Sequence, residues 1–289
     1  MAFTISSTKI GNVLVLLDGK IFIGPDWHYL IISLSQILIG TLLFVFYTNI
    51  VTAARVFAGV FGILTLTCIA LCGIADPGIS PKEPPPPLDA PPRPAKYFTV
   101  RYVNRDGDSS EYQIESKWCY SCNNYRPFRG VHCRFCDVCV CRRDHHCPWT
   151  GICVGGRNYL RYFCMIWCCF VLTLVAFIGG IHSFVRKMGR CSNNVFLCAL
   201  TDTYCLEFIL ILLALFWAFL VGSLSFYHTY LICKNATSGD KSKRNSGETF
   251  NSGSVISNIK ASLCFKADDE LYTETLEDAV IDEVTVVNL

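Results

Sequence analysis

The sequence predicts an α-helical polytopic membrane protein, with four transmembrane helices and a cysteine-rich domain between the second and third. Three observations lead there. At 52% hydrophobic against 17% charged, the 289-residue chain is too apolar to clothe a soluble protein of its size. Four separate apolar stretches reach the ~20 residues that a helix needs to cross a bilayer core. Eight of the 18 cysteines crowd into the 35 residues from Cys119 to Cys153. A net charge of +2 supplies no basic field of the kind that dominates nucleic-acid binding, so no nucleic-acid partner is expected.

The apolar stretches run from Trp27 to Ile50, Ala53 to Ala75, Tyr162 to Phe184 and Phe208 to Tyr230. None has a Lys or Asp in its interior; Arg55 opens the second, and Glu207 stands just before the fourth. One such run could be a buried core helix, but four together could not. The spans also lack the acid and base pairs that mark an ion path, which argues against a transporter. Positive charge sets the orientation. Twelve Lys and Arg residues lie from Lys82 to Arg157, between the second and third spans, whereas the opposite side would hold only Arg55 and the loop residues Arg186, Lys187 and Arg190. The segment between spans two and three, and both termini, are therefore expected in the cytosol. Cys191, Cys198 and Cys205 would then face the oxidising side, where they can form at most one internal bridge. The apolar run Val13 to Leu17 is too short for a signal-peptide core, so no cleaved signal is expected, and Met1-Ala2 lacks the glycine of a myristoylation site.

These features divide the chain into a cytosolic N-terminus (1–26), a first transmembrane hairpin (27–75), a Pro-rich linker and hairpin (76–117), the cysteine-rich domain (118–161), a second transmembrane hairpin with its external loop (162–233), and a cytosolic tail (234–289). In the linker, Asp76-Pro77-Gly78 stops the second helix, Pro84 to Pro87 favour polyproline II, and Tyr97 to Val103 with Glu111 to Ile114 alternate as a hairpin. The tail turns acidic from Asp268 onward and is expected to be largely disordered.

Cysteines interleaved with histidines, without secretory flanks, point to metal or catalytic chemistry rather than disulfides. Zinc takes four thiolate or imidazole ligands in a tetrahedron, and each Cys-x-x-Cys supplies two from one turn. Neighbouring residues point apart and rarely serve one ion, so His132 and Cys133 go to different metals, and only one of His145 and His146 ligates. Two structural zinc ions result. One would take Cys119, Cys122, His132 and Cys139, the other Cys133, Cys136, His146 and Cys153. Cys141, His145 and Cys147 are left over. Cys147 beside His145 and Asp144 has the composition of an activated thiol: a thiolate nucleophile, an imidazole that lowers its pKa, and a carboxylate that orients the imidazole. The alternative is that all of Asp-His-His-Cys is metal scaffold.

The stretch Cys-x2-Cys-x9-His-Cys-x2-Cys-x2-Cys-x4-Asp-His-His-Cys-x5-Cys-x4-Asn, from Cys119 to Asn158, resembles the Asp-His-His-Cys (DHHC) cysteine-rich domain of protein S-acyltransferases, the palmitoyltransferases. Asp76-Pro77-Gly78 is similar to the family's motif after the second span, and Ile21 to Asp26 to the lead-in of plant members. The resemblance implies a protein S-palmitoyltransferase and a two-step transfer, from palmitoyl-CoA to Cys147 and then to cytosolic-face cysteines of membrane-associated substrate proteins. In it His145 is the base, Asp144 its orienting partner, and the zinc ligands are those above. It also implies a multi-pass protein of eukaryotic endomembranes, Golgi or plasma membrane. Burying about fifteen methylenes at ~0.8 kcal/mol each would make the acyl chain lead binding. Arg126, Arg129, Arg142 and Arg143 could meet the CoA phosphates or simply be solvated. The family's Thr-Thr-x-Glu motif after the fourth span appears here as Ala236-Thr237-Ser238-Gly239, and its C-terminal Asn element as Asn258-Ile259-Lys260. That altered motif supports a second hypothesis, a catalytically silent membrane zinc-binding adaptor.

Overall fold

The computed structural model describes residues 7–48, 50–87, 93, 95–103, 109–189, 206–242, 250–252, 254–265 and 274–276. They form two compact units. One comprises Leu30–Leu71 with Arg161–His228, and the other the N-terminal, central and C-terminal segments.

The first unit is built from helices α1 (Trp27–Tyr47), α2 (Thr52–Gly73), α3 (Tyr159–Met188) and α4 (Leu206–Cys233). All four are long and apolar enough to span a membrane. The α1–α2 turn is closed by the Arg55 guanidinium, which donates to Thr48 O at 2.9 Å. Gly62 lets α2 approach α1, since a Cβ there would lie 2.6 Å from the Thr41 methyl. Phe44, Ile50, Ala58 and Leu172 form one apolar cluster, and Phe184 with Ile211 another. Large side chains such as Ile39, Phe46, Phe216 and Phe219 point outward, as suits a lipid-facing surface. Arg186 and Lys187, expected in the external loop, instead belong to the last turn of α3. Lys187 Nζ lies 2.8 Å from the Glu207 carboxylate, and both side chains are nearly buried; a paired charge tolerates burial that a lone one does not. Cys191, Cys198 and Cys205 lie outside the described residues.

The second unit is a set of small antiparallel sheets. Strands β1 (Ser7–Ile10), β2 (Val13–Leu16) and β3 (Ile21–Ile23) form a meander that the sequence analysis did not anticipate. In β2 the alternation buries Val13 and Val15, which pack with Cys133, Cys136, Val138, Val140 and Ile152. Asn12 fastens the meander, its N–H donating to Cys136 O (2.8 Å) and its side-chain amide to Phe135 O (2.9 Å). After α2, Asp76 makes the expected turn: Oδ1 accepts from the N–H groups of Gly78 (2.8 Å) and Ile79 (2.9 Å), and Oδ2 pairs with Arg157 (2.6 Å). Strand β4 (Ile79–Ser80) follows, and residues 81–87 carry no helix or strand. The hairpin is present as β5 (Lys96–Val103) and β6 (Ser109–Glu115), paired from Tyr97↔Glu115 to Val103↔Ser109, with its turn outside the described residues. The cysteine-rich segment contributes three two-stranded pairings, described below.

The tail departs from the expected disorder over its described part. Helices α5 (Ser238–Ser242) and α6 (Val255–Leu263) follow α4, and a short strand β13 (Glu274–Leu276) pairs with β5. Polar composition hid this, because only two isolated aromatics, Phe250 and Phe265, pack on the Phe98–Phe128–Cys141 cluster, and buried amides make the remaining contacts. Asn258, 1% exposed, donates to Cys233 O (2.8 Å) and Asn251 Oδ1 (2.7 Å) and accepts from the Ser252 N–H (3.0 Å) and hydroxyl (2.9 Å). Asn258→Ala leaves those buried groups unpaired. It is expected to speed tryptic cleavage after the exposed Lys260 by about tenfold, read by mass spectrometry of the released fragment.

Candidate active site and metal centres

Two hairpins of the same design carry the first four cysteines of the cluster. Strands β7 (Trp118–Cys119) and β8 (Asn124–Tyr125) enclose Cys119-x-x-Cys122, and β9 (Val131–Cys133) and β10 (Val138–Val140) enclose Cys133-x-x-Cys136. In each, the residue after the second cysteine has a left-handed backbone, Asn123 at φ 51° and Asp137 at φ 54°. Asn and Asp tolerate that conformation better than most residues. Strand alternation then distributes the donors. In the β9–β10 pair, His132 stands opposite Cys139 and Cys133 opposite Val138, so His132 and Cys133 face different sides.

Cys119, Cys122, His132 and Cys139 come together with their ligand atoms within 4.8 Å of one another, and so do those of Cys133, Cys136, His146 and Cys153. Both clusters could hold a metal ion. His146 Nδ1 lies 3.6, 3.3 and 3.6 Å from the sulfurs of Cys133, Cys136 and Cys153, and His132 Nδ1 lies 3.6 and 3.4 Å from those of Cys119 and Cys122. A tetrahedron with metal–donor bonds of about 2.0–2.3 Å has edges of about 3.3–3.8 Å, so the spacing fits a zinc-sized ion. Three thiols and one imidazole per cluster, with the six cysteines at most 3% exposed, also fit its chemistry.

The same alternation organises the Asp-His-His-Cys segment. Strand β11 (His145–Cys147) pairs with β12 (Ile152–Val154), with His146 opposite Cys153. His146 thus joins the metal cluster, while His145 and Cys147, two residues apart, share the other face. His145 Nδ1 lies 2.8 Å from Asp144 Oδ2. Asp144 is fully buried, its other oxygen accepting the Ser238 N–H at 2.9 Å. Burial works to lower the His145 pKa, but hydrogen bonds to Asp144 and Cys147 outweigh it and hold it at about 9. Burial likewise opposes ionisation of Cys147, yet its hydrogen bond to His145, the imidazolium charge and Thr150 hold its pKa below the ordinary thiol value. Cys141 differs, because burial pushes its thiol up to about 11, in keeping with a bystander.

Thr150 is a residue that sequence reasoning missed. Fully buried, it follows Cys147 in the 3₁₀ turn Pro148–Thr150, and its hydroxyl donates towards Cys147 O (3.2 Å) and Ile152 O (3.3 Å). Pro at the start of that turn was its only signal.

Two of the four arginines weighed as phosphate contacts are committed elsewhere. Arg142, 3% exposed, donates to Ala261 O (3.0 Å), Ser262 O (2.8 Å) and Asn235 Oδ1 (3.1 Å). Arg129 is bound to Asn235 and Asp240, its side chain only 4% exposed. The altered motif after the fourth span acquires a partner through the same contact. Asp240 accepts the Thr237 N–H (3.0 Å) and donates its own N–H to the Thr237 hydroxyl (3.1 Å), so a carboxylate one residue later stands by the docked turn. Arginine attraction holds the Asp240 pKa below its usual range despite burial.

Residues 112–245 match the family model described as DHHC palmitoyltransferase. The chain is 30% identical over 281 residues to palmitoyltransferase ZDHHC18-B of Danio rerio, covering 86% of this chain and 69% of that protein. It is 30% identical over 251 residues to probable protein S-acyltransferase 2 of Arabidopsis thaliana, covering 78% of this chain and 59% of that one. Palmitoyltransferase ZDHHC18 of Mus musculus matches at 29% over 282 residues, 85% of this chain and 69% of the relative. With four membrane-spanning helices, two Cys/His clusters between the second and third, and a thiol–imidazole–carboxylate array beside them, the chain belongs to the DHHC palmitoyltransferase family.

Proposed function

We propose that Cys147 is the acyl-carrying nucleophile of a protein S-palmitoyltransferase, with His145 as general base and acid and Asp144 as its orienting carboxylate. The observation that carries this is the hydrogen-bonded chain Asp144–His145–Cys147 on the face of β11 opposite the metal cluster. His145 takes the Cys147 proton, and the thiolate adds to the thioester carbonyl of palmitoyl-CoA. The carbon–sulfur bond to CoA then breaks, and CoA leaves with the proton from His145. In the second step a substrate-protein cysteine gives its proton to His145, attacks the acyl-Cys147 thioester and releases the Cys147 thiolate. The two clusters hold structural zinc, Cys119, Cys122, His132 and Cys139 in one, Cys133, Cys136, His146 and Cys153 in the other. Zinc there closes the hairpins that set the direction of β11. The positive residues between spans two and three support a cytosolic catalytic domain.

The adaptor alternative rested on the altered Thr-Thr-x-Glu motif, and the Thr237–Asp240–Arg129 contacts offset that support. Purified protein given radiolabelled palmitoyl-CoA is expected to carry a hydroxylamine-labile label at Cys147, located by peptide mapping. Undiminished label in Cys147→Ser would overturn the assignment.

A further inference from the structure

We propose that Asp26, in the lead-in to α1, is the carboxylate that orients His146, the middle residue of β11, on the second metal site. The proposal rests on the reading of that cluster as a zinc site. An imidazole offers a lone pair from one nitrogen only when the other carries the proton, so a ligating histidine needs an acceptor at its far nitrogen. His146 turns Nδ1 to the sulfurs of Cys133, Cys136 and Cys153, and its Nε2 lies 2.9 Å from Asp26 Oδ2. The imidazole is only 4% exposed, and Phe135 stacks on it with ring centres 4.8 Å apart. The ring therefore has one orientation, and Asp26 supports the metal-binding tautomer in it.

Asp26 is itself held against the catalytic loop. Its N–H donates to Gly151 O at 3.3 Å, and its carbonyl accepts the Tyr29 N–H at 2.9 Å as α1 begins. The approach requires glycine on both sides: a Cβ on Gly24 would lie 2.1 Å from Gly151 O, and Gly151 has φ +76°. So a residue 120 positions from His146 in the chain is placed by backbone contacts rather than by a flexible side chain.

Among the described residues, no carboxylate lies as close to the far nitrogen of His132 in the other site. His132 Nε2 is 3.6 Å from Asp137 Oδ1, beyond hydrogen-bond reach, and Asp137 is 38% exposed and paired with Lys82. The two ions should therefore differ in their dependence on a carboxylate. His146 lies between His145 and Cys147 on β11, so the side chain that Asp26 holds belongs to the strand that carries both.

The test follows zinc transfer from the detergent-purified full-length protein to a colorimetric chelator. Wild type should release two zinc ions per chain in two phases. Asp26→Asn keeps the shape and an acceptor oxygen but loses the charge; it is expected to speed one phase by about tenfold and leave the other unchanged. Asp26→Ala should speed the same phase by up to about a hundredfold, and Asp137→Asn should change neither phase comparably. Should Asp26→Ala fail to fold, Asp26→Asn still decides. Equal acceleration of both phases would indicate general loosening and overturn the orienting role, as would wild-type release in Asp26→Asn. A wild-type protein without two zinc ions would instead overturn the metal reading on which the proposal rests.

Discussion

Cys133→Ser is expected to lose one zinc ion and all acyl transfer together, whereas Cys147→Ser keeps both ions and loses acyl transfer alone. The difference follows from the faces of the strands. Cys133, 1% exposed, is wedged among Val13, Val15, Val138 and Ile152 as well as against His146, so its sulfur belongs both to the metal cluster and to the small core under it. That core is thin, and withdrawing a ligand removes binding energy that such domains need to fold. Protease should then cut the cysteine-rich segment of Cys133→Ser. Cys147 lies on the opposite face of β11, and serine is nearly isosteric, so the β11–β12 pairing and the four metal donors beside it are undisturbed. Zinc counted by atomic emission on both purified variants, beside limited proteolysis, distinguishes the two. A Cys147→Ser protein short of one zinc would make that cysteine a ligand and deprive the proposed mechanism of its nucleophile.

The four apolar helices and the two Cys/His groupings were legible because each is a local pattern. Twenty apolar residues in a row need no partner to be recognised, and adjacency alone sends His132 and Cys133 to separate clusters. The N-terminal meander was not legible. Val13 to Leu17 is a short apolar run with a turn after it; its strand forms by pairing with β1 and β3, and its buried valines are covered by the β9–β10 hairpin, distant in sequence. The fate of the arginines was hidden for the same reason. Arg142 reads as one of a basic pair beside the catalytic motif, but its partners Ala261 and Ser262 lie about 120 residues downstream in a polar tail. Asp240 was hidden by a shift of one place, since a search for Glu at 239 finds Gly239, while the buried Arg129 accepts a carboxylate from the next residue. Long-range polar contacts leave no periodicity in a sequence, whereas apolar burial does.

His145→Ala is expected to slow acyl-Cys147 formation by about 10²- to 10⁴-fold near neutral pH, with part of the loss recovered as pH rises. In wild type the imidazole is anchored through Nδ1 to Asp144 Oδ2, while Asp144 Oδ1 accepts the Ser238 N–H, so the remaining nitrogen is aimed at Cys147 with little freedom. Without the imidazole, Cys147 keeps the burial that opposes ionisation and loses the hydrogen bond and positive charge that offset it, so its pKa must rise. The sign of the pH effect follows. A thiol whose pKa has risen is mostly protonated at neutral pH, and each increase in pH up to that pKa raises the thiolate fraction and the rate. Wild type, with its thiol already held low, should show a flatter profile over the same range. Asp144→Asn removes the charge behind the imidazole but leaves His145 in place, so it should produce a smaller loss of the same kind. Single-turnover acylation with labelled palmitoyl-CoA from pH 6 to 9, alongside zinc counts to show the clusters intact, measures all three. A His145→Ala protein that acylates itself at the wild-type rate would remove His145 from the chemistry.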